Sequence, residues 1–125
     1  MEFLKCKHCE NVVAFVKNEG NKISCCNDIM EKMLVNNSDG SREKHMPIYE
    51  KNGNYLHVRV GEILHPSSKE HHIEWIALVT NKGNQRKVLL DNDKAETYFL
   101  IEEDDEVKEL YAYCNLHGLW GIKKE

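Results

Sequence analysis

The chain has 125 residues, 41% of them hydrophobic and 30% charged, which leaves room for one ordinary core or for a small metal-stapled module followed by a larger domain. Its formal charge is -4, with acidic residues bunched at Glu102-Glu103-Asp104-Asp105-Glu106 and no matching basic stripe, so an extended phosphate-binding surface is not expected and nucleic acid is a poor partner. No apolar run approaches membrane-spanning length and the start, Met1-Glu2-Phe3-Leu4-Lys5-Cys6, is unlike a secretory leader, so a soluble cytoplasmic protein is expected.

The chain opens on a Cys-x-x-Cys knuckle, Cys6-Lys7-His8-Cys9. Two short β-like runs follow, at 12–16 and 22–25, separated by the turn signal Asn18-Glu19-Gly20-Asn21, and the second run ends at the adjacent pair Cys25-Cys26. A segment this small cannot bury a stable core unaided, so something must staple it. The chain holds 5 cysteines, and an odd number in a reducing compartment argues against a disulfide framework. Four thiolates in a tetrahedral set select iron or zinc, and closing such a site would cross-link the module. Spacing alone admits the two metals equally. Buried free thiols are the poorer reading, because a polar segment offers no core to receive them. Most knuckles use a second Cys-x-x-Cys, so the contiguous pair is distinctive and should pull the site away from regular rubredoxin geometry. With four sulfurs available, His8 is expected to be a solvated side chain.

Asn36-Asn37-Ser38-Asp39-Gly40-Ser41 reads as a linker, dividing the chain into a module at 1–36 and a domain at 37–125. Beyond it the pattern is strands throughout, with no sustained helical period. They are predicted at 47–51, ending on the Asn52-Gly53 turn, and then at 55–60, 72–80, 86–90, 95–101 and 107–114. The run at 55–60 alternates, with Leu56, Val58 and Val60 on one face and Tyr55, His57 and Arg59 on the other. Short strands at this spacing predict an all-β antiparallel sandwich of about seven strands.

Loops between these strands carry four histidines and one cysteine: His45; His65 and His71, which bracket Pro66-Ser67-Ser68-Lys69-Glu70; and Cys114 and His117 in Cys114-Asn115-Leu116-His117-Gly118. Any one histidine alone would read as an ordinary surface or core residue. Jointly they offer five donors, and zinc prefers four. Five leave an octahedron one ligand short, which suits a redox iron that must bind a small molecule directly. Four imidazoles in a plane would put the thiolate opposite the vacancy, where its electron donation reaches the substrate. His57 and His72 lie within predicted strands and read as strand surface. On an extended chain, His71 and His72 point to opposite sides.

Glu43-Lys44-His45 with Pro47, His65-Pro66 with His71, His71-His72-Ile73-Glu74-Trp75-Ile76, and Cys114-Asn115-Leu116-His117-Gly118-Leu119-Trp120 together resemble the desulfoferrodoxin family, the two-iron class of superoxide reductase. Cys6, Cys9, Cys25 and Cys26 resemble its desulforedoxin-like module, so the resemblance covers nearly the whole chain. It implies an immunoglobulin-like antiparallel β-sandwich as the catalytic domain, preceded by a small desulforedoxin-like, rubredoxin-type metal module. It implies two iron ions per chain, one held by Cys6, Cys9, Cys25 and Cys26, the other by His45, His65, His71 and His117 with Cys114 axial. Glu43 would be the carboxylate that occupies the sixth position in the oxidised resting state, and Lys44 the lysine beside the vacancy. The implied reaction is one-electron reduction of superoxide to hydrogen peroxide, with electrons from rubredoxin or a similar donor, in a homodimer. Lys44 would then supply the positive field that the overall charge lacks. The alternative is a non-enzymatic electron carrier or redox sensor in which the four-sulfur centre works and the histidine set is structural; a vacant sixth position argues against it. Asn27 and Ile29 stand where a glycine and a proline commonly follow the cysteine pair, Ser67 replaces a frequent methionine and His72 a frequent tyrosine. None of these removes a ligand.

Overall fold

A computed structural model describes residues 1–36 and 42–124, apart from the side chains of Arg42 and Glu43. Most of the expected linker, residues 37–41, lies outside the described residues. The chain divides into two compact units, Met1–Leu34 and Val35–Glu125.

The first unit contains β1 (Phe3–Lys5), β2 (Val12–Ala14), β3 (Ser24–Cys25), β4 (Asp28–Ile29) and β5 (Glu31–Lys32). β1 pairs antiparallel with both β2 and β5, while β3 and β4 form a separate hairpin. Cys25 pairs with Asp28, so the hairpin turn is Cys26-Asn27, and both residues have positive φ, 53° and 60°. A two-residue hairpin with both central residues left-handed is the type I′ arrangement, and asparagine is among the side chains that tolerate it best. The adjacent cysteines therefore occupy different roles, Cys25 ending a strand and Cys26 opening the turn. Phe3, Cys6 and Met30 are the buried apolar residues of this unit, an interior too small to carry it alone.

The second unit comprises β6 (Val35–Asn36), a single helical turn α1 (Arg42–His45), β7 (Pro47–Asn52), β8 (Tyr55–Val60), β9 (Ile73–Thr80), β10 (Asn84–Val88), β11 (Glu96–Leu100), β12 (Val107–Cys114) and β13 (Gly118–Lys123). Its strands form two sheets, ordered β10-β9-β12-β13-β6 and β11-β8-β7. All pairings are antiparallel except β13 with β6. One core joins the inner faces: Leu56, Val58 and Val60 of β8 and Phe99 of β11 meet Ile76 and Leu78 of β9 and Leu110 and Ala112 of β12. This is the immunoglobulin-like sandwich, and the alternation expected along 55–60 is the one observed. Among the described residues, no helix is long and apolar enough to cross a membrane.

Two differences from the sequence reading have physical causes. The strand expected at 86–90 starts two residues earlier, pairing Asn84 with Val79 and Val88 with Trp75. All of its side chains are exposed, so this edge strand has no apolar alternation to mark its bounds. β13 escaped prediction because Gly118 and Gly121 depress β-propensity along it. Gly118 has φ 82° where the tight loop after Cys114 closes, and Gly121 lies opposite Tyr111. A Cβ built at Gly121 would stand 2.5 Å from Tyr111 Cδ1, so the ring fills the space a side chain would take. Gly121→Ala is expected to destabilise the fold by about 1–3 kcal/mol through overpacking, read as a lower urea midpoint with unchanged m-value. An unchanged midpoint would contradict this packing.

The register brings the candidate ligands to one end of the sandwich. Pro47, two residues after His45, pairs with Val60, the strand end that leads into the His65–His71 loop. Cys114 pairs with Ile73 on one side and with Gly118 on the other.

Candidate metal centres

In the first unit the four sulfurs converge. The Sγ atoms of Cys6, Cys9, Cys25 and Cys26 lie within 4.8 Å of one another, with Cys9 to Cys25 at 3.7 Å and Cys25 to Cys26 at 4.0 Å. Ligands about 2.3 Å from one ion in a tetrahedron stand about 3.8 Å apart, so the spacing is that of co-ligands. The backbone turns its N–H groups onto the sulfurs: His8 and Cys9 donate to Cys6 Sγ at 3.3 and 3.4 Å, and Asn11 donates to Cys9 Sγ at 3.4 Å. The His8 N–H leads in lowering the Cys6 thiol to about 6, whereas the side chains of Cys6, Cys9 and Cys25 push Cys26 up to about 12. A cation among the four sulfurs would favour the thiolate at each of them. His8 is exposed yet not free: its Nε2 pairs with Asp28 Oδ2 at 2.9 Å, tying the knuckle to the strand after the cysteine pair.

At the end of the sandwich, His45, His65, His71 and Cys114 each bring one ligand atom within 4.8 Å of the others. His117 joins them through Nδ1, 3.1 Å from His45 Nε2 and 3.7 Å from Cys114 Sγ. Adjacent imidazole nitrogens each about 2.1 Å from an ion would stand about 3.0 Å apart, close to the observed 3.1 Å. His65 Nε2 and His71 Nε2 are buried without a hydrogen-bond partner. Orphaned polar atoms are costly in a protein interior, and two aimed at one point fit a metal ion there.

The surrounding groups prepare the donors. His65 Nδ1 lies 2.8 Å from the Pro66 carbonyl, so Nδ1–H donates and the Nε2 lone pair is left for the cluster. Burial, reinforced by His45, His71 and His117, lowers the His65 pKa to about 4 against the Pro66 carbonyl, keeping the ring in the neutral, ligating form. His71 is lowered mainly by burial, then by the charges of His117, His72 and the exposed Lys44. Burial raises the Cys114 thiol, while backbone N–H groups of Leu116 and His117 favour its thiolate.

Trp120 and Asn36 were given no role in the sequence reading. The Trp120 ring stacks on His45, centroids 4.7 Å apart at 18°, and its Nε1–H donates to the His117 carbonyl at 3.2 Å. Asn36 Nδ2 donates to the same carbonyl at 3.2 Å. Only the position of Trp120 beyond Gly118 could have signalled its part, and Asn36 sat in the expected linker. The Glu43 side chain lies outside the described residues. His57 stays on the sheet surface, 3.1 Å from Glu96 and stacked on Tyr98. His72 Nδ1 pairs with the Ser68 carbonyl at 2.9 Å, away from the cluster that His71 enters.

A family model for desulfoferrodoxin matches residues 37–123, and a desulfoferrodoxin from Nitratidesulfovibrio vulgaris is 41% identical over 119 residues, covering 95% of this chain and 93% of that protein. The chain belongs to the desulfoferrodoxin family. A superoxide reductase from Pyrococcus horikoshii is 34% identical over 109 residues, covering 73% of this chain and 94% of that protein. The crystal structure of the superoxide reductase from Treponema pallidum superposes with a TM-score of 0.82 at 34% identity, covering 98% of this chain and 96% of that one. The desulfoferrodoxin match spans all five donors of the histidine–cysteine cluster, and the alignment with the Nitratidesulfovibrio desulfoferrodoxin reaches into the four-cysteine unit as well.

Proposed function

We propose that this desulfoferrodoxin is a superoxide reductase that converts superoxide, with one electron and two protons, into hydrogen peroxide. The observation that carries this reading is the convergence of His45, His65, His71, His117 and Cys114 on one point, with two buried imidazole nitrogens left unpartnered. Five donors leave an octahedral ion one position for a small molecule. Iron held by these five residues would supply the electron and the open position, and a second iron would sit among Cys6, Cys9, Cys25 and Cys26. Superoxide reductases among the relatives support superoxide as the substrate.

The chain's own groups then have defined work. Burial holds His65 neutral and the Pro66 carbonyl orients it, and the Leu116 and His117 N–H groups stabilise the thiolate of Cys114. Lys44 adds local positive charge that draws the superoxide anion against the overall charge of -4, and its Nζ can order a proton-donating water. Glu43 would cap the open position in the oxidised resting state. Electrons would come from a rubredoxin-like donor, and the protein would work as a cytoplasmic homodimer that removes superoxide under oxidative stress.

Lys44→Ala is expected to slow superoxide capture by about tenfold and to flatten its salt dependence; rapid-mixing rates unchanged at low and high salt would reject the role. The function itself is tested by supplying superoxide and a reductant while following oxygen and peroxide together. Reduction yields peroxide with no oxygen released. Dismutation would release one oxygen for every two superoxides, and a mere electron carrier would not accelerate superoxide loss.

A further inference from the structure

We infer that Asn115 is a positioning residue for the histidine–cysteine centre, one carboxamide that fixes the aim of His71 from the strand end bearing Cys114; the inference rests on the metal-centre reading above. Asn115 Oδ1 accepts from the His72 N–H at 2.9 Å, and its Nδ2 donates to the Glu70 carbonyl at 3.0 Å. The Glu70 carbonyl belongs to the peptide plane before His71 and the His72 N–H to the plane after it. Gripping both planes restrains φ and ψ of His71 together, and so the direction of its Cα–Cβ bond. The Asn115 backbone adds a third bond, its N–H donating to the His72 carbonyl at 3.2 Å.

Ser68 holds the same two planes from within the loop: its Oγ accepts from the His71 N–H at 3.1 Å and donates to the His71 carbonyl at 3.2 Å. Ser68 cannot fix the loop relative to the thiol, because both ends of its contacts lie in the loop. Asn115 can, being bonded to Cys114. The need is local, since the β12–β9 ladder shifts register between Tyr113 and Cys114 and regular pairing no longer aligns the two segments there. His71 Nε2, buried and without a hydrogen-bond partner, is the atom whose aim this grip sets.

The test uses the full iron-loaded chain, reduced and anaerobic, challenged with a ferrous chelator, the four-cysteine centre serving as reference within each molecule. Asn115→Ala is expected to release iron from the histidine–cysteine centre about 10–100-fold faster, the usual effect of losing an outer-sphere partner. Asn115→Asp keeps the acceptor for the His72 N–H and loses the donor to Glu70, so its rate should fall between those of Ala and wild type. Release from the four-cysteine centre should not change, and the sulfur-to-iron absorption of the oxidised histidine–cysteine centre should broaden in the Ala variant. Equal release from wild type and both variants, or equal loosening of both centres, would overturn the proposal. A wild-type chain that holds no iron at the histidine set would defeat the metal-centre reading itself.

Discussion

Cys114→Ser is expected to leave the fold intact, to retain only part of the iron at the histidine set, and to abolish that centre's sulfur-to-iron charge-transfer absorption with nearly all superoxide reduction. Cys114 is fully buried at the end of β12, and the backbone N–H groups of Leu116 and His117 favour its thiolate. A serine hydroxyl in that place stays protonated and donates far less electron density than a thiolate. Outer-sphere substitutions around metals already cost about 10–100-fold, so loss of the sulfur ligand should exceed about 100-fold in turnover. The absorption of the four-cysteine centre should survive, which makes it an internal control. Survival of the histidine-centre band and of the activity would mean that Cys114 is not its sulfur donor.

The second large effect concerns the first unit. Removing its metal is expected to unfold Met1–Leu34 while the sandwich stays folded. Phe3, Cys6 and Met30 are its buried apolar residues, an interior too small to offset the ordering of its backbone. A structural metal contributes about 10–16 kcal/mol in comparable small modules, and its loss leaves that interior without a cross-link. Hydrogen exchange read by peptide checks this: after metal removal, peptides of the first unit should exchange at unfolded-chain rates while the β8, β9 and β12 amides stay protected. Protection of the first unit without metal would mean that its core is sufficient and the cysteines are not its staple.

Much of this molecule was legible in the sequence because its signals are chemical. Leu56, Val58 and Val60 alternate along a half-buried strand, and His45, His65, His71, Cys114 and His117, grouped as five donors from the sequence, converge. Other elements gave no pattern. β10 is an edge strand without an inward apolar face, β13 is interrupted by glycines whose purpose appears only when Tyr111 lies across one of them, and β6 is too short to show a period. The supporting contacts were hidden for a related reason. Trp120 on His45, Asn36 on the His117 carbonyl and Asn115 across His71 join residues far apart in the chain, and nothing in local spacing encodes a partner. The type I′ turn at Cys26-Asn27 was half visible: an asparagine at a glycine-like position signals left-handed backbone, but only the Cys25–Asp28 pairing shows which residues turn.

The most direct test of the account is rapid mixing of the fully reduced, iron-loaded chain with superoxide while the absorption of both centres is followed. The histidine–cysteine centre is expected to be oxidised first, at a rate proportional to superoxide concentration, with the four-cysteine centre still reduced during that step. Oxidation beginning at the four-cysteine centre, or a histidine–cysteine centre that does not respond to superoxide, would contradict it.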